Sequence, residues 1–329
     1  MILDTLFTRR LLVVAGKGGV GKTTIACVLG LIGAQRGKRV LLAEVDGAGR
    51  AARLLGVEAP EVGKSREVRP LLSVMEVVGS AALAEYLEII VPVKRVLQAV
   101  FSSRIYQYFV AAAPGLKELM TIGKIWFEAE RVDESSGRRL WDLVVLDAPA
   151  TGHSLQYLRM PQAALETFGS GLVGRESKRI VDLLTDPHQT AINLVTTAEE
   201  MPVNETIEMY RQVRADLRMP LGALFVNRVH HTDLSADDLT RLEHSLAAVH
   251  DPQARGFAEE ALNRAREEFG WTTINNTYLR RLRSHIDIPL VEVPFVFAEE
   301  FGINQVRAIA EQVAEAGAEA QRGRRRGRA

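Results

Sequence analysis

A glycine-rich segment close to the N-terminus reads Gly16-Lys17-Gly18-Gly19-Val20-Gly21-Lys22-Thr23-Thr24. It follows the apolar run Leu11–Ala15, which predicts a buried strand, and it leads into a helical pattern over Thr23–Arg36 that Gly37 ends. The segment fits the phosphate-binding loop pattern G-x-x-x-x-G-K-[ST], whose glycines let successive backbone N–H groups point at phosphate oxygens. We therefore predict a nucleotide site here. The alternative is a glycine-rich turn with an incidental lysine.

Two side chains at the end of this loop have predicted chemical roles. Lys22 is expected to contact the β- and γ-phosphates, and the hydroxyl of Thr23 is expected to ligate Mg²⁺. The other residues predicted to line the phosphates are Gly16, Gly18, Gly19, Val20, Gly21 and Thr24. The predicted cofactors are accordingly ATP and Mg²⁺.

Composition places the chain among soluble globular proteins. It has 329 residues, 47% of them hydrophobic, enough for one large α/β domain or two smaller ones. The 41 basic and 41 acidic residues balance, so no overall field attracts nucleic acid or anionic membrane. No apolar run approaches about 18 residues, and Met1–Arg10 lacks a hydrophobic signal core, so we expect a cytoplasmic protein.

The single cysteine, Cys27, excludes a disulfide framework and a multi-cysteine metal site within one subunit. We expect Cys27 to be a small buried hydrophobe, and we expect no zinc. The neighbouring pair His230 and His231 is expected to form a solvated turn, since adjacent side chains after a strand seldom converge on one metal ion.

Strand and helix patterns alternate along the chain, which predicts an α/β fold with a mostly parallel sheet and helices on both faces. The predicted strands are Leu11–Ala15, Arg39–Val45, Leu72–Val77, Trp141–Asp147, Ala191–Thr196, Leu221–Asn227 and Pro289–Val293. Three longer stretches are predicted to be helical, namely Val78–Arg131, Gln162–Leu184 and Ser235–Phe269. The first of them interrupts the alternation and is interpreted as a helical insertion at about 78–131.

Two aspartates follow predicted strands at the sheet edge where ligands bind. Asp147 ends an apolar strand, as the Walker B carboxylate does, and is predicted to hold Mg²⁺ through its water shell. Asp46 ends the strand Arg39–Val45, and a carboxylate there can act on a water beside the γ-phosphate. The alternative for Asp46 is a helix N-cap without a catalytic part.

The loop also resembles a more specific motif. With Lys17 as a second lysine, K-G-G-V-G-K-T-T resembles the deviant Walker A motif of the dimeric ATPases that include the MinD, ParA, nitrogenase-iron-protein and ArsA/Get3 groups. The resemblance implies a P-loop ATPase dimer in which Lys17 reaches the partner's nucleotide, so that Lys17, Lys22 and Asp46 form the catalytic set. The alternative for Lys17 is a solvated side chain.

The segment from Asp147 to Leu155 indicates which of these groups the chain resembles most. It reads D-A-P-A-T-G-H-S-L and resembles the D-T-A-P-T-G-H-T-L of switch II in the ArsA/Get3 family, with the proline one place earlier. Asp46 matches the water-orienting aspartate of that family, although the residues after Asp46 depart from its D-P-A-H. The resemblance extends from Leu11 to about Ala314. It leaves His153 either as a sensor of the γ-phosphate or as a loop residue.

The same resemblance implies an adenine site. Asn227 matches the asparagine of a V-N-Q segment that recognises adenine in the family, but Arg228 replaces the glutamine. Pro294 and Phe295 fall where the family's adenine-packing loop follows the last strand.

The domain prediction is an ATPase domain over residues 1–318 and a basic disordered tail over 319–329. The implied function is an ATP-hydrolysing dimeric switch, as a homodimer or with a paralogue, that handles a hydrophobic client or a membrane-associated protein. The alternative is a regulatory or energising ATPase for membrane transport or cell organisation. The tail has five arginines in the seven residues 322–328 and either binds nucleic acid or anionic lipid or is a passive end.

Overall fold

One sheet of eight strands runs through the part of the chain that the computed structural model describes, which comprises residues 2–90, 115–149, 154–169 and 171–326. The strands are β1 (Leu11–Gly16), β2 (Val40–Val45), β3 (Ser65–Arg69), β4 (Leu72–Val77), β5 (Leu143–Asp147), β6 (Thr190–Thr197), β7 (Leu221–Val229) and β8 (Leu290–Pro294). Their spatial order is β3-β4-β2-β5-β1-β6-β7-β8. Every neighbouring pair is parallel except β3 and β4.

Helices cover both faces of this sheet. They are α1 (Ile2–Phe7), α2 (Lys22–Gln35), α3 (Arg50–Leu54), α4 (Gly79–Ile90), α5 (Leu116–Glu130), α6 (Ser154–Phe168), α7 (Leu172–Thr185), α8 (Glu200–Gln212), α9 (Ala236–Ala247), α10 (Pro252–His285) and α11 (Ile303–Arg326). A single π-helical turn, Val213–Leu217, continues α8.

The core consists of two apolar clusters, one on each side of the sheet. Leu11 and Val13 of β1 pack with α5, α7, α8 and α10, whereas Leu12 and Val14 pack with α1, α2, α3 and α11. Successive side chains of a strand point to opposite faces, so a strand buried on both faces is apolar throughout. The predicted α/β architecture with a mostly parallel, doubly covered sheet is confirmed.

Strand β1 lies at the point where the strand order reverses. It pairs with β5 on one side and β6 on the other, and the next strand in the chain, β2, lies beyond β5. Connections after β1 therefore diverge and leave a crevice at its carboxyl end, where open α/β sheets bind ligands. Asp147 lies opposite Val14 in the register, so it ends at the same edge as the glycine-rich loop.

Strand β3 was not predicted. It is a short, charged strand, exposed along most of its length, that pairs antiparallel with β4 at the edge of the sheet. An edge strand needs no apolar face, and its charge opposes pairing with other chains. Strand β5 begins at Leu143 and not at the predicted Trp141.

The helical stretches also differ in detail from their prediction. The insertion contains α4 and α5, and residues 91–114 between them lie outside the described residues. The stretch Ser235–Phe269 is two helices, because Asp251 and Pro252 begin a second one: the Asp251 carboxylate accepts from the Ala254 amide at 2.7 Å. Within the described ranges, no helix combines the length and the apolar character that crossing a membrane requires.

The end of the chain differs from the predicted disordered tail. Helix α11 continues through Arg326, so the backbone of the tail is helical over most of its length, and residues 327–329 lie outside the described ranges. The sequence before the arginine run is rich in alanine, glutamate and glutamine, which are strong helix formers.

Candidate active site

The glycine-rich loop curls around its own lysine. Helix α2 begins at Lys22, and Gly19 and Gly21 take the left-handed conformation, with φ of 86° and 92°. The ammonium of Lys22 donates to the carbonyl oxygen of Lys17 at 2.9 Å, and its side chain is buried. Burial lowers the pKa of Lys22, an effect that the charge of Asp147 opposes. The loop thus holds a buried cation at the amino end of a helix, which suits a phosphate.

Asp147 and Thr23 meet at the carboxyl end of β5. The Thr23 hydroxyl donates to Oδ2 of Asp147 at 2.6 Å, and Asp147 is only 4% exposed. Burial raises the pKa of Asp147 to about 7, against the Thr23 hydrogen bond, which lowers it. Its other oxygen, Oδ1, is buried without a hydrogen-bond partner among the described residues. A hydroxyl beside an unsatisfied carboxylate oxygen is a donor set that fits Mg²⁺.

Asp46 lies at the end of β2, on the same edge of the sheet. It is exposed, and its backbone has a φ of 50°. Oδ2 of Asp46 accepts a hydrogen bond from the hydroxyl of Tyr157 at 3.1 Å. The N-cap of α3 is Gly49, which offers no side chain, so the helix-cap interpretation of Asp46 is excluded.

The side chain that accepts hydrogen bonds from the first amides of α3 is that of Glu44, for which no role was predicted from the sequence. Its two carboxylate oxygens accept from the backbone amides of Arg50 and Ala51, each at 3.1 Å. Glu44 is buried and pairs in register with Asp147, and burial raises the pKa of Glu44. The sequence did contain a signal for this role, because a glutamate within an otherwise apolar buried strand needs hydrogen-bond partners inside the protein. Glu44 therefore ties the start of α3 to its own strand, β2, at the position next to Asp147 of β5.

Lys17 is engaged within its own subunit. Its ammonium forms an ion pair with Glu205 of α8, and both side chains are partly exposed. This ion pair gives Lys17 a partner in its own subunit, and its role at a partner's nucleotide stays a prediction. Glu205 belongs to the segment after β6, and only the structure reveals it as the partner.

Asn227 contacts the glycine-rich loop. It is buried at the end of the apolar part of β7, and its Nδ2 donates to the carbonyl oxygen of Val20 at 2.9 Å. One of its two amide hydrogens is thus used by the protein itself, and the adenine-recognising role stays a prediction.

The predicted adenine-packing residues lie beside a histidine. Phe295 is 44% exposed and stacks on His230, with ring centroids 4.4 Å apart, and His230 also stacks on Trp271 at 5.7 Å. Nδ1 of His230 lies 3.0 Å from the Glu268 carboxylate. The expectation of a solvated turn is therefore wrong for His230, because the side chain is held between aromatic rings. Pro294 ends β8 opposite Val229.

Two further expectations concern single residues. Cys27 is fully buried in α2, as predicted, and burial raises the pKa of its thiol well above the usual value. His153 lies outside the described residues, with the rest of 150–153.

Comparison with known proteins gives consistent matches. A model of the anion-transporting ATPase family matches residues 9–172. The chain is 33% identical over 240 residues to ATPase BagA of Mycobacterium tuberculosis, covering 70% of this chain and 68% of that protein. It is 25% identical over 269 residues to ATPase GET3 of Kluyveromyces lactis, covering 72% and 76% of the two chains. It is 28% identical over 215 residues to the arsenical pump-driving ATPase of Escherichia coli, covering 61% and 36%.

Proposed function

Because this chain belongs to the ArsA/Get3 family of ATPases, we propose that it is a dimeric switch in which binding and hydrolysis of Mg·ATP at the loop Gly16–Thr24 drive closure of two subunits. The observation that carries the site assignment is the Thr23–Asp147 hydrogen bond beside the unpaired Oδ1 of Asp147. In this proposal Thr23 and Asp147 hold Mg²⁺, Asp147 through water, and Lys22 contacts the phosphates. The metal supplies positive charge that offsets the charge on the phosphoryl oxygens.

Asp46 is the proposed residue that orients the attacking water. Its exposed carboxylate ends β2, two strands from β1 on the same sheet edge, which supports this role. We expect Asp46→Asn to keep Mg·ATP affinity and to lower kcat by about 10² or more, because phosphoryl transfer depends on positioning and charge. Lys22→Ala is the matched comparison, and it should weaken nucleotide binding itself. Turnover that survives Asp46→Asn unchanged would remove Asp46 from the mechanism.

Lys17 is proposed to exchange partners when two subunits close. The ion pair with Glu205 joins two partly exposed side chains, and such pairs contribute only about 0 to 1 kcal/mol, so the exchange costs little. Lys17→Ala should therefore reduce hydrolysis and ATP-dependent dimer closure more than it reduces nucleotide affinity. Analytical sedimentation with a transition-state mimic measures closure.

Glu205→Gln is the control for the Lys17 experiment, because it breaks the same ion pair and leaves the ammonium in place. Closure should persist in Glu205→Gln and be lost in Lys17→Ala. If both variants close normally, Lys17 has no part in the interface. If the wild-type chain stays monomeric with the mimic, the homodimer proposal is contradicted.

The proposed client is an apolar segment of another protein. Helices α4, α5 and α7 line a partly open pocket of about 220 Å³ whose exposed surface is almost wholly apolar. The lining residues are Ala82, Glu85, Tyr86, Leu119, Met120, Gly123, Lys124, Trp126, Phe127, Val173, Glu176, Ser177 and Ile180. This pocket supports client handling over a purely regulatory role, because ligand sites are concave and mostly apolar.

Capture of partners by the ATP-trapped and nucleotide-free forms tests the client proposal. Ala82→Phe places a ring in the pocket and should reduce capture of an apolar peptide, with ATP turnover unchanged. A peptide in which apolar residues are replaced by serine is the matched control. Equal capture of both peptides, or capture unaffected by Ala82→Phe, would count against an apolar client.

A further inference from the structure

A tyrosine hydroxyl contacts the carboxylate proposed to orient water. Tyr157 is the fourth residue of α6, the helix that follows Asp147 and the segment 150–153. Its hydroxyl donates to Oδ2 of Asp46 at 3.1 Å. No other described residue donates to this carboxylate, and Oδ1 has no protein donor in the same ranges. One hydrogen bond thus joins the end of β2 to the beginning of α6.

Asp46 needs such a partner because little else fixes it. The residue is exposed, and its φ of 50° places the backbone in the left-handed region that non-glycine residues seldom adopt. Its backbone amide donates to the carbonyl oxygen of Val77 at 3.1 Å, which holds the main chain but not the side chain. The carboxylate is therefore free to change rotamer unless another group holds it.

Tyr157 is suited to hold it. Its ring packs against the apolar cluster on one face of the sheet, and the next residue, Leu158, is 1% exposed, so this part of α6 is anchored to the sheet. Burial raises the pKa of Tyr157 to about 12, and the negative charge of Asp46 adds to the effect. The hydroxyl consequently keeps its proton at neutral pH and acts as a hydrogen-bond donor.

We propose that Tyr157 is a positioning residue that fixes the Asp46 carboxylate through Oδ2, so that Oδ1 is presented to the attacking water. This inference rests on the role proposed above for Asp46. The hydrogen bond links α6 to the end of β2, so the packing of α6 on the sheet sets the orientation of the Asp46 carboxylate. A hydrogen bond from a fixed donor restricts the carboxylate to one orientation, which is the entropic advantage that positioning gives.

The kinetic test removes the hydroxyl alone. Tyr157→Phe should lower kcat for ATP by roughly tenfold and leave KM and the melting temperature unchanged, because positioning acts in the chemical step. In an Asp46→Ala background, which has no carboxylate to position, Tyr157→Phe should cause no further loss in single-turnover assays. Tyr278→Phe is the control, since it removes a hydroxyl from another half-buried tyrosine packed on the same cluster.

A second readout uses the nucleotide-free protein. With tyrosine labelled by ¹³C at Cζ, the chain gives six tyrosine signals, and the one lost in Tyr157→Phe is that of Tyr157. Asp46→Ala should shift the Tyr157 signal at neutral pH and move its ionisation to lower pH, with the Tyr278 signal unchanged. An unshifted Tyr157 signal means that the contact is absent and overturns the proposal.

The outcomes separate the two proposals. If Asp46→Ala retains full turnover, the proposed catalytic role of Asp46 fails. If Asp46→Ala loses turnover but Tyr157→Phe matches the wild type, only the positioning role fails. Equal losses from Tyr157→Phe with and without Asp46 also overturn it, because Tyr157 then acts independently of that carboxylate.

Discussion

At the scale of single residues, the loop depends on a glycine that no other residue can replace. Gly21 has a φ of 92°, and a Cβ there would lie 2.1 Å from Nδ2 of Asn227. We predict that Gly21→Ala destabilises the protein by about 2 to 5 kcal/mol, from the left-handed backbone and from the steric clash together. Chemical denaturation of the nucleotide-free protein measures this loss.

Gly19→Ala is the matched control for this prediction. Gly19 has a similar φ of 86°, but a Cβ there would meet nothing within 4 Å. Gly19→Ala should therefore lower the free energy of unfolding only by the cost of the left-handed backbone, about 1 to 2 kcal/mol. Adding Asn227→Ala to Gly21→Ala should recover part of the stability that the clash removes. If the two losses of unfolding free energy simply add, the proposed contact between the loop and β7 is contradicted.

At the scale of secondary-structure elements, two helix glycines differ in their surroundings. A Cβ at Gly123 of α5 would meet only Ile180 Cδ1 at 3.9 Å, whereas one at Gly33 of α2 would approach Val40 and Leu143 to 2.9 and 3.0 Å. Gly123→Ala should raise the free energy of unfolding by about 0.5 to 1 kcal/mol, and Gly33→Ala should lower it by about 1 to 3 kcal/mol. The same sign for both substitutions would contradict this packing of the helices on the sheet.

Arg39 and Asp142 join the entrances of the neighbouring strands β2 and β5. The guanidinium donates to Oδ1 and Oδ2 of Asp142 at 2.7 and 3.0 Å, and these hydrogen bonds hold the pKa of Asp142 below its usual value. A lowered pKa in the folded state stabilises the protein above the pKa of the unfolded state, and the gain is lost as pH falls through the folded value. The pair therefore contributes at neutral pH and not in acid.

We predict that Asp142→Asn lowers the free energy of unfolding at pH 7 by about 0.5 to 1 kcal/mol, since each side chain is 37% exposed and solvent screens the pair. The difference from the wild type should shrink as pH falls below about 4. Denaturant unfolding of both proteins across pH 3 to 7 tests this. A difference that stays constant with pH would assign the loss to packing.

The sequence predicts the parallel strands because a strand buried on both faces is a continuous apolar run, as in Leu11–Ala15. The same rule misses β3, whose charged residues carry no such signal. Asp147 and Thr23 were predictable as a pair because each follows from a loop or strand motif. Glu205 and Tyr157 were not, because their partners Lys17 and Asp46 are 188 and 111 residues away, and no local pattern reports a contact of that range.

At the scale of the whole molecule, α11 closes one face of the sheet before it reaches the basic end of the chain. Val306, Ile309 and Val313 are buried against α2 and its neighbours. We predict that deletion of residues 319–329 leaves ATP turnover unchanged, because these residues lie beyond every nucleotide-binding motif of the sequence. Ile309→Ala, by contrast, should lower the free energy of unfolding by about 2 to 4 kcal/mol, because it removes a buried side chain.

The same deletion tests what the arginines do. If they bind anionic lipid or RNA, co-sedimentation with anionic liposomes or RNA at low salt should fall on deletion and fade as salt rises. Binding that is absent, or unchanged by deletion and salt, would leave the basic end passive.

The position of β1 in the middle of the sheet has a consequence for biosynthesis. Leu11 pairs with Val144 on one side and with Thr190 on the other, so both neighbours of the first strand are translated long after it. At about 5 to 20 residues per second, the ribosome makes β6 roughly 10 to 40 s after β1. During that interval we expect the glycine-rich loop to lack the strand pairing that holds it in the folded protein. A nascent chain arrested before Thr190 should therefore fail to retain ATP, because β1 then lacks one of its two neighbouring strands.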